Sequence, residues 1–135
     1  MRVFLDTNVL VSAYVARGLS ADLMRLVLAE HDLVTAALQL AEFTRVLENK
    51  IGASAAEARR VATELSRFSG PAPPEPHPAI TTDPDDAWIL AASVSADADL
   101  LVSGDAHVLA AAKRVKRPRI VSVREAWTTL RATRP

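Results

Sequence analysis

Four carboxylates stand where this sequence could do chemistry. Asp6 ends the apolar run Val3-Phe4-Leu5 and is followed by Thr7 and Asn8. Asp105 closes a second run, Leu100-Leu101-Val102-Ser103-Gly104. Asp86 lies just past Asp83-Pro84-Asp85, and Glu42 sits within a long amphipathic stretch. Short apolar runs that stop abruptly read as buried strands. An acid directly after such a run falls at the carboxyl edge of a parallel sheet, where open α/β folds bind their ligands. A helix that follows a strand begins on the same edge, which brings Asp86 there, and Glu42 could point in beside them. Carboxylates gathered in one pocket repel unless they are protonated or bridged by a cation. An all-oxygen group suits Mg²⁺ or Mn²⁺. Such an ion positions a water and a phosphodiester for in-line attack.

Each acid also has a plainer reading. Asp is a favoured helix cap, so Asp6 could simply open the helical pattern that starts again at Val9. Asp83 is the natural cap ahead of Pro84, with Asp86 three residues on as its reciprocal partner. Asp85 reads as a solvated first-turn acid favoured by the helix dipole, and Glu42 alone as a surface glutamate. The joint pattern, acids at two strand ends and one helix start, is what sets the group apart.

The elements that must position these acids alternate along the chain. Helical spacing follows Ser20-Ala-Asp-Leu23 through Leu26 and Val27, and Asp32 to Thr35 is a short strand candidate. Ala36 to Lys50 reads as a helix with Leu38, Ala41, Val46 and Leu47 on its apolar stripe, ended by Gly52. Ser54-Ala-Ala-Glu57 is a capping box for a helix through Val61, Leu65 and Phe68. Residues 71–78 hold five of the eight prolines and are expected to be an extended loop within one domain. A helix follows from Pro84 through Trp88 and Val94. Asp99 to Ser103 is the next strand, His107 to Arg114 a short helix and Arg119 to Ser122 the last strand. A capping box at Ser122-Glu125 opens the C-terminal helix. Alternating strands and helices imply an α/β fold with a parallel sheet covered on both faces.

The chain's 135 residues suit a single domain, 1–135. Lys plus Arg balance Asp plus Glu to a formal charge of zero, so global charge argues neither for nor against a nucleic-acid partner. The absence of cysteine excludes disulfides, thiolate metal sites and cysteine nucleophiles. Residues 3–16 superficially resemble a signal sequence, but Asp6 interrupts the apolar part, and no stretch reaches the ~20 apolar residues of a membrane span. A cytoplasmic, non-membrane protein is expected. The basic run Lys113, Arg114, Lys116, Arg117 and Arg119 could grip phosphates, though a solvated helix end is the plainer reading. His31, His77 and His107 lack metal-ligand spacing, and His107 is expected to stay clear of substrate. Trp88 and Trp127 are expected on helix core faces. No P-loop, Gly-x-Gly-x-x-Gly or Gly-x-Ser-x-Gly motif is present.

Four segments together resemble the PIN-domain family, in particular the VapC-like toxins of bacterial toxin–antitoxin pairs. They are Phe-Leu-Asp6-Thr-Asn8-Val-Leu, Leu-Ala-Glu42-Phe, Asp83-Pro-Asp-Asp86-Ala-Trp-Ile-Leu-Ala and Leu-Val-Ser-Gly-Asp105. The resemblance implies a three-layer α/β/α sandwich and Mg²⁺- or Mn²⁺-dependent endonucleolytic hydrolysis of RNA. It implies Asp6, Glu42, Asp86 and Asp105 as catalytic metal ligands, with Asp6 the most direct, and Asn8 and Ser103 as polar positions that support substrate binding. It further implies a homodimer and a small antitoxin protein whose C-terminal segment blocks the acids. The proline-rich segment before Asp83 departs from the pattern, so a strand there is expected to be short or missing. Rival readings are a haloacid-dehalogenase-like phosphatase, which would need an Asp where Asn8 stands, a PIN-like domain that binds RNA or protein without turnover, and a nuclease for DNA.

Overall fold

A computed structural model describes residues 1–133. Four strands form one sheet: β1 (Arg2–Leu5), β2 (Asp32–Val34), β3 (Leu100–Val102) and β4 (Arg119–Val121). Every pairing is parallel and the spatial order is β2-β1-β3-β4. The helices are α1 (Thr7–Val15), α2 (Leu19–Glu30), α3 (Ala37–Val46), α4 (Ala55–Leu65), α5 (Pro84–Ser95), α6 (Ala106–Ala110) and α7 (Val123–Ala132).

The strands alternate between two cores, as a sheet buried on both faces requires. Val3, Leu5, Leu33, Leu100, Val102 and Val121 join the apolar sides of α1, α2, α3, α4 and α7. Phe4, Val34, Leu101 and Ile120 turn to the other side, against Ile89, Leu90 and Ala92 of α5 and Val108 of α6. Phe4, Leu5, Leu100 and Leu101 are fully buried, each contributing roughly 1.5–3 kcal/mol of transfer free energy. The result is the expected three-layer α/β/α arrangement, made of short parallel strands.

The topology decides where a site can be. From β1 the chain moves to β2 on one side, then returns across α5 to β3 on the other. The order therefore reverses between β1 and β3, and the crevice beyond their carboxyl ends is the ligand position of such sheets. Asp6 leaves β1 there, its N–H donating to the Val102 carbonyl at 2.8 Å, and Ser103 leaves β3 beside it.

Local chemistry accounts for most element ends. Gly52 takes a left-handed φ of 84° after α3, whose last turn widens through Ile51. Asp83 caps α5 by accepting from the N–H groups of Asp85 and Asp86, with Pro84 at the first helical position. Ser122 and Glu125 form the full capping box of α7. The Ser54 box is only half made: Ser54 accepts from the Glu57 N–H, but Glu57 is engaged by the Tyr14 hydroxyl at 2.7 Å. The proline-rich segment contributes no strand, since prolines cannot donate to a ladder. The short helix expected from His107 to Arg114 is α-helical only to Ala110 and tightens to 3₁₀ geometry thereafter. Among the described residues no helix is long and apolar enough to cross a membrane.

Candidate functional site

The reading of Asp6 as a cap and its reading as a site acid meet in one side chain. Its Oδ1 accepts from the Thr7 N–H at 2.8 Å, and its Oδ2 accepts from the Ser103 hydroxyl at 2.7 Å. Asp6 is 7% exposed. Burial pushes its carboxyl above the usual range, and the charges of Glu42 and Asp105 push the same way, against the two hydrogen bonds. Asp105 caps α6, and its own N–H donates to the Ser103 hydroxyl at 3.0 Å. Ser103 thus ties the acid of β1 to the acid after β3. It is fully buried, and its hydroxyl is engaged in holding the two acids. Asn8 is exposed in the first turn of α1.

Asp86 does not complete the cap of α5. Its Oδ2 is buried with no hydrogen-bond partner among the described residues. Its pKa is pushed up to about 6 by burial, by the charges of Asp105, Asp83 and Asp6, and is eased slightly by His107. A buried carboxylate oxygen without a donor is costly unless a cation completes it. Ligand atoms of Asp86, Asp105 and His107 lie within 4.8 Å of one another. The His107 ring nitrogen Nδ1 is 3.6 Å from Asp105 Oδ1. The tight group therefore contains a histidine expected to stay apart, while Asp6 and Glu42 lie outside it: the charge of Asp6 acts on Asp86, and that of Glu42 on Asp6. Both Asp6 oxygens are already engaged, by the Thr7 N–H and the Ser103 hydroxyl. Glu42 is half-buried on α3 and shares a shallow cleft with Arg45, Asp85 and Trp88. Trp88 is thus in a cleft wall beside the acids and not on a core face, whereas Trp127 packs partly against the first core.

Gln39 is the positioning residue that patterning missed. It is fully buried on α3, one turn before Glu42. Its Oε1 accepts from the Ala36 N–H at 3.0 Å and its Nε2 donates to the Leu5 carbonyl, the last one before Asp6. One amide therefore locks α3 to the end of β1. Gln39→Leu keeps the volume but orphans a buried N–H and a buried C=O. It is expected to cost at least about 1–3 kcal/mol, read as a lower denaturation midpoint in urea. A midpoint equal to the native protein's would remove Gln39 from this role.

The remaining expectations resolve simply. His31 is placed by its contacts with the Met1 amine and the Leu130 carbonyl, and His77 accepts from the Ala79 N–H. In the basic run, Arg114 donates to the Ala79 carbonyl and Arg117 pairs with Asp97 and Asp99. A family model described as PIN domain matches residues 2–107, which include all four acids. No curated protein matches the chain.

Proposed function

From the chain's membership of the PIN-domain family, we propose that it is a divalent-metal-dependent endoribonuclease, acting in the cytoplasm as the toxin of a type II toxin–antitoxin pair. PIN domains are generally metal-dependent nucleases. The observation that carries the reading for this chain is the buried, unpartnered Oδ2 of Asp86, a residue whose carboxylate also lies within 4.8 Å of ligand atoms of Asp105 and His107. The donor set fits the ion: carboxylate oxygens suit Mg²⁺, and one imidazole also suits Mn²⁺.

Asp86, Asp105 and His107 would hold the cation, with Asp6 and Glu42 supplying further negative charge. When bound, it activates a water and neutralises charge gathering on the phosphate. The protein's own part is to keep these acids fixed. Ser103 and the Thr7 N–H set Asp6, Ser103 and the start of α6 set Asp105, and Asp83 fixes the first turn that carries Asp86. Without a cation the same acids repel a phosphodiester. Pairing of two copies, and a small antitoxin whose C-terminal segment covers the acids, belong to the same proposal. Its support is the resemblance to VapC-like toxins, together with an apolar cleft at Leu10, Tyr14, Met24, Leu28 and Phe43, where Tyr14 and Leu28 are 40% and 52% exposed.

The test is cleavage of a labelled panel of single-stranded RNAs and matching DNAs by the purified chain, in EDTA, Mg²⁺ and Mn²⁺. RNA cutting that needs a metal and is abolished by EDTA is the expected result. Cutting that persists in EDTA, or p-nitrophenyl phosphate hydrolysis without RNA cleavage, would overturn it. Metal binding without any cutting would favour a domain that binds without turnover.

A further inference from the structure

Beside the acids runs a groove of about 560 Å³ whose walls include Arg17, Gly18, Ser20, Ser103, Gly104 and Arg124. Ser103 belongs to both places: it is among the residues that line the groove, and its hydroxyl holds Asp6 and the Asp105 N–H. The groove is therefore continuous with the candidate site.

Several guanidinium groups are occupied within the fold: Arg2 by the Ala96 and Asp97 carbonyls, Arg25 by Asp22, Arg60 by Glu64, Arg114 by the Ala79 carbonyl and Arg117 by Asp97 and Asp99, while Arg67 and Arg131 lie over the Phe68 and Trp127 rings. Arg17 and Arg124 have no hydrogen-bond or ion-pair partner among the described residues. They come from opposite ends of the chain, Arg17 from the turn before α2 and Arg124 from the first turn of α7, and meet across one groove. No acidic side chain lines it. The α2 helix opens there at Gly18 without a side-chain cap, which leaves its first N–H groups open as further donors. In a chain of zero formal charge, two unpaired arginines in an acid-free groove make a local anion-binding surface.

We propose that this groove holds the sugar–phosphate backbone of single-stranded RNA next to the phosphodiester at the acids, with Arg17 and Arg124 each contacting a phosphate. The assignment rests on the reading of the chain as a ribonuclease and adds the path of its substrate. It places strand binding here and not on the basic run at 113–119, whose Arg114 and Arg117 are already held within the fold. Guanidinium forks suit phosphate oxygens in geometry as well as charge.

The test is binding without cleavage. Fluorescence anisotropy of a fluorescein-labelled oligouridylate is followed in EDTA across a KCl series. The native chain is compared with Arg17→Ala, Arg124→Ala, the double variant, a double Arg→Lys variant, and Lys113→Ala/Lys116→Ala. Each lost phosphate contact should flatten the dependence of log affinity on log salt by about 0.7. The double alanine variant should therefore lose about 1.4 of slope and roughly tenfold or more in low-salt affinity. The double lysine variant should keep most of the slope, which separates lost charge from a disturbed fold. The Lys113/Lys116 variant should bind like the native chain. A native slope in the double alanine variant, an equal loss in the Lys113/Lys116 variant, or no RNA binding by the native chain would overturn the proposal. The first two outcomes leave metal-dependent cleavage untouched, so failure of the groove and failure of the nuclease reading are separate results.

Discussion

Asp6→Asn is expected to lower metal-dependent RNA cleavage by at least about a hundredfold while leaving the metal-free fold as stable as before, or more so. The two effects have opposite signs for one reason. Asp6 is buried, and both its burial and the neighbouring charges of Glu42 and Asp105 disfavour its ionised form. At neutral pH the native state carries that cost unless a cation offsets it. An amide has nearly the same shape, accepts from the Thr7 N–H through its oxygen and has no charge to desolvate, while its NH2 requires the Ser103 hydroxyl to turn and accept where it now donates. It cannot supply the negative charge that a divalent ion and its activated water require. The measurement pairs single-turnover cleavage in Mn²⁺ with thermal unfolding in EDTA. Loss of cutting together with an unchanged or raised Tm places Asp6 in the site. Equal loss of cutting and of fold would make Asp6 a structural cap, and cutting at the native rate would end the assignment.

The stability half of that prediction depends on contacts that only the fold reveals, and the same holds elsewhere. Strand ends at Asp6 and Ser103, the Asp83 cap and the alternation of elements were legible because each is local: an apolar run, a capping residue, a proline at the helix start. Ser103 could be placed near the acids, but not its two simultaneous bonds, which depend on β1 and β3 being neighbours. Gln39 gave no signal, since a polar residue in an apolar stripe reads as solvent-facing until the Leu5 carbonyl is found opposite it. His107 did carry one, an Asp-x-His spacing at a helix start, which is not among the familiar metal-ligand spacings. The half-made box at Ser54 shows the reverse error. Glu57 had the right position, but Tyr14 from α1 engages its carboxylate.

Metal-free protein should lose stability as pH rises from about 4 to about 6, and a divalent cation should restore it at neutral pH. Asp86 is the main cause, with its pKa lifted from 3.8 to about 6, and Asp6 is raised in the same direction. Between those values the folded state holds more protons than the unfolded state, so unfolding becomes easier as pH rises through the window. Asp99 and Glu125 run the other way. The Arg2 N–H holds Asp99 below its usual 3.8, and the Ser122 N–H holds Glu125 below 4.5, so their contributions are lost only as pH falls through that lower range. The two effects therefore occupy largely separate windows. Cation binding needs the acids deprotonated. Added Mn²⁺ should raise Tm little at pH near 5, where Asp86 is largely protonated, and clearly more near 7. Thermal unfolding across this range, in EDTA and in Mn²⁺, reads both effects. Asp86→Asn supplies the decisive comparison: it should flatten the decline between about 4 and 6, raise metal-free Tm near neutrality and remove most of the Mn²⁺ gain. A native protein whose metal-free Tm is flat across the window, or whose Mn²⁺ gain is as large near pH 5 as near 7, would show that the acids neither repel one another nor share a cation.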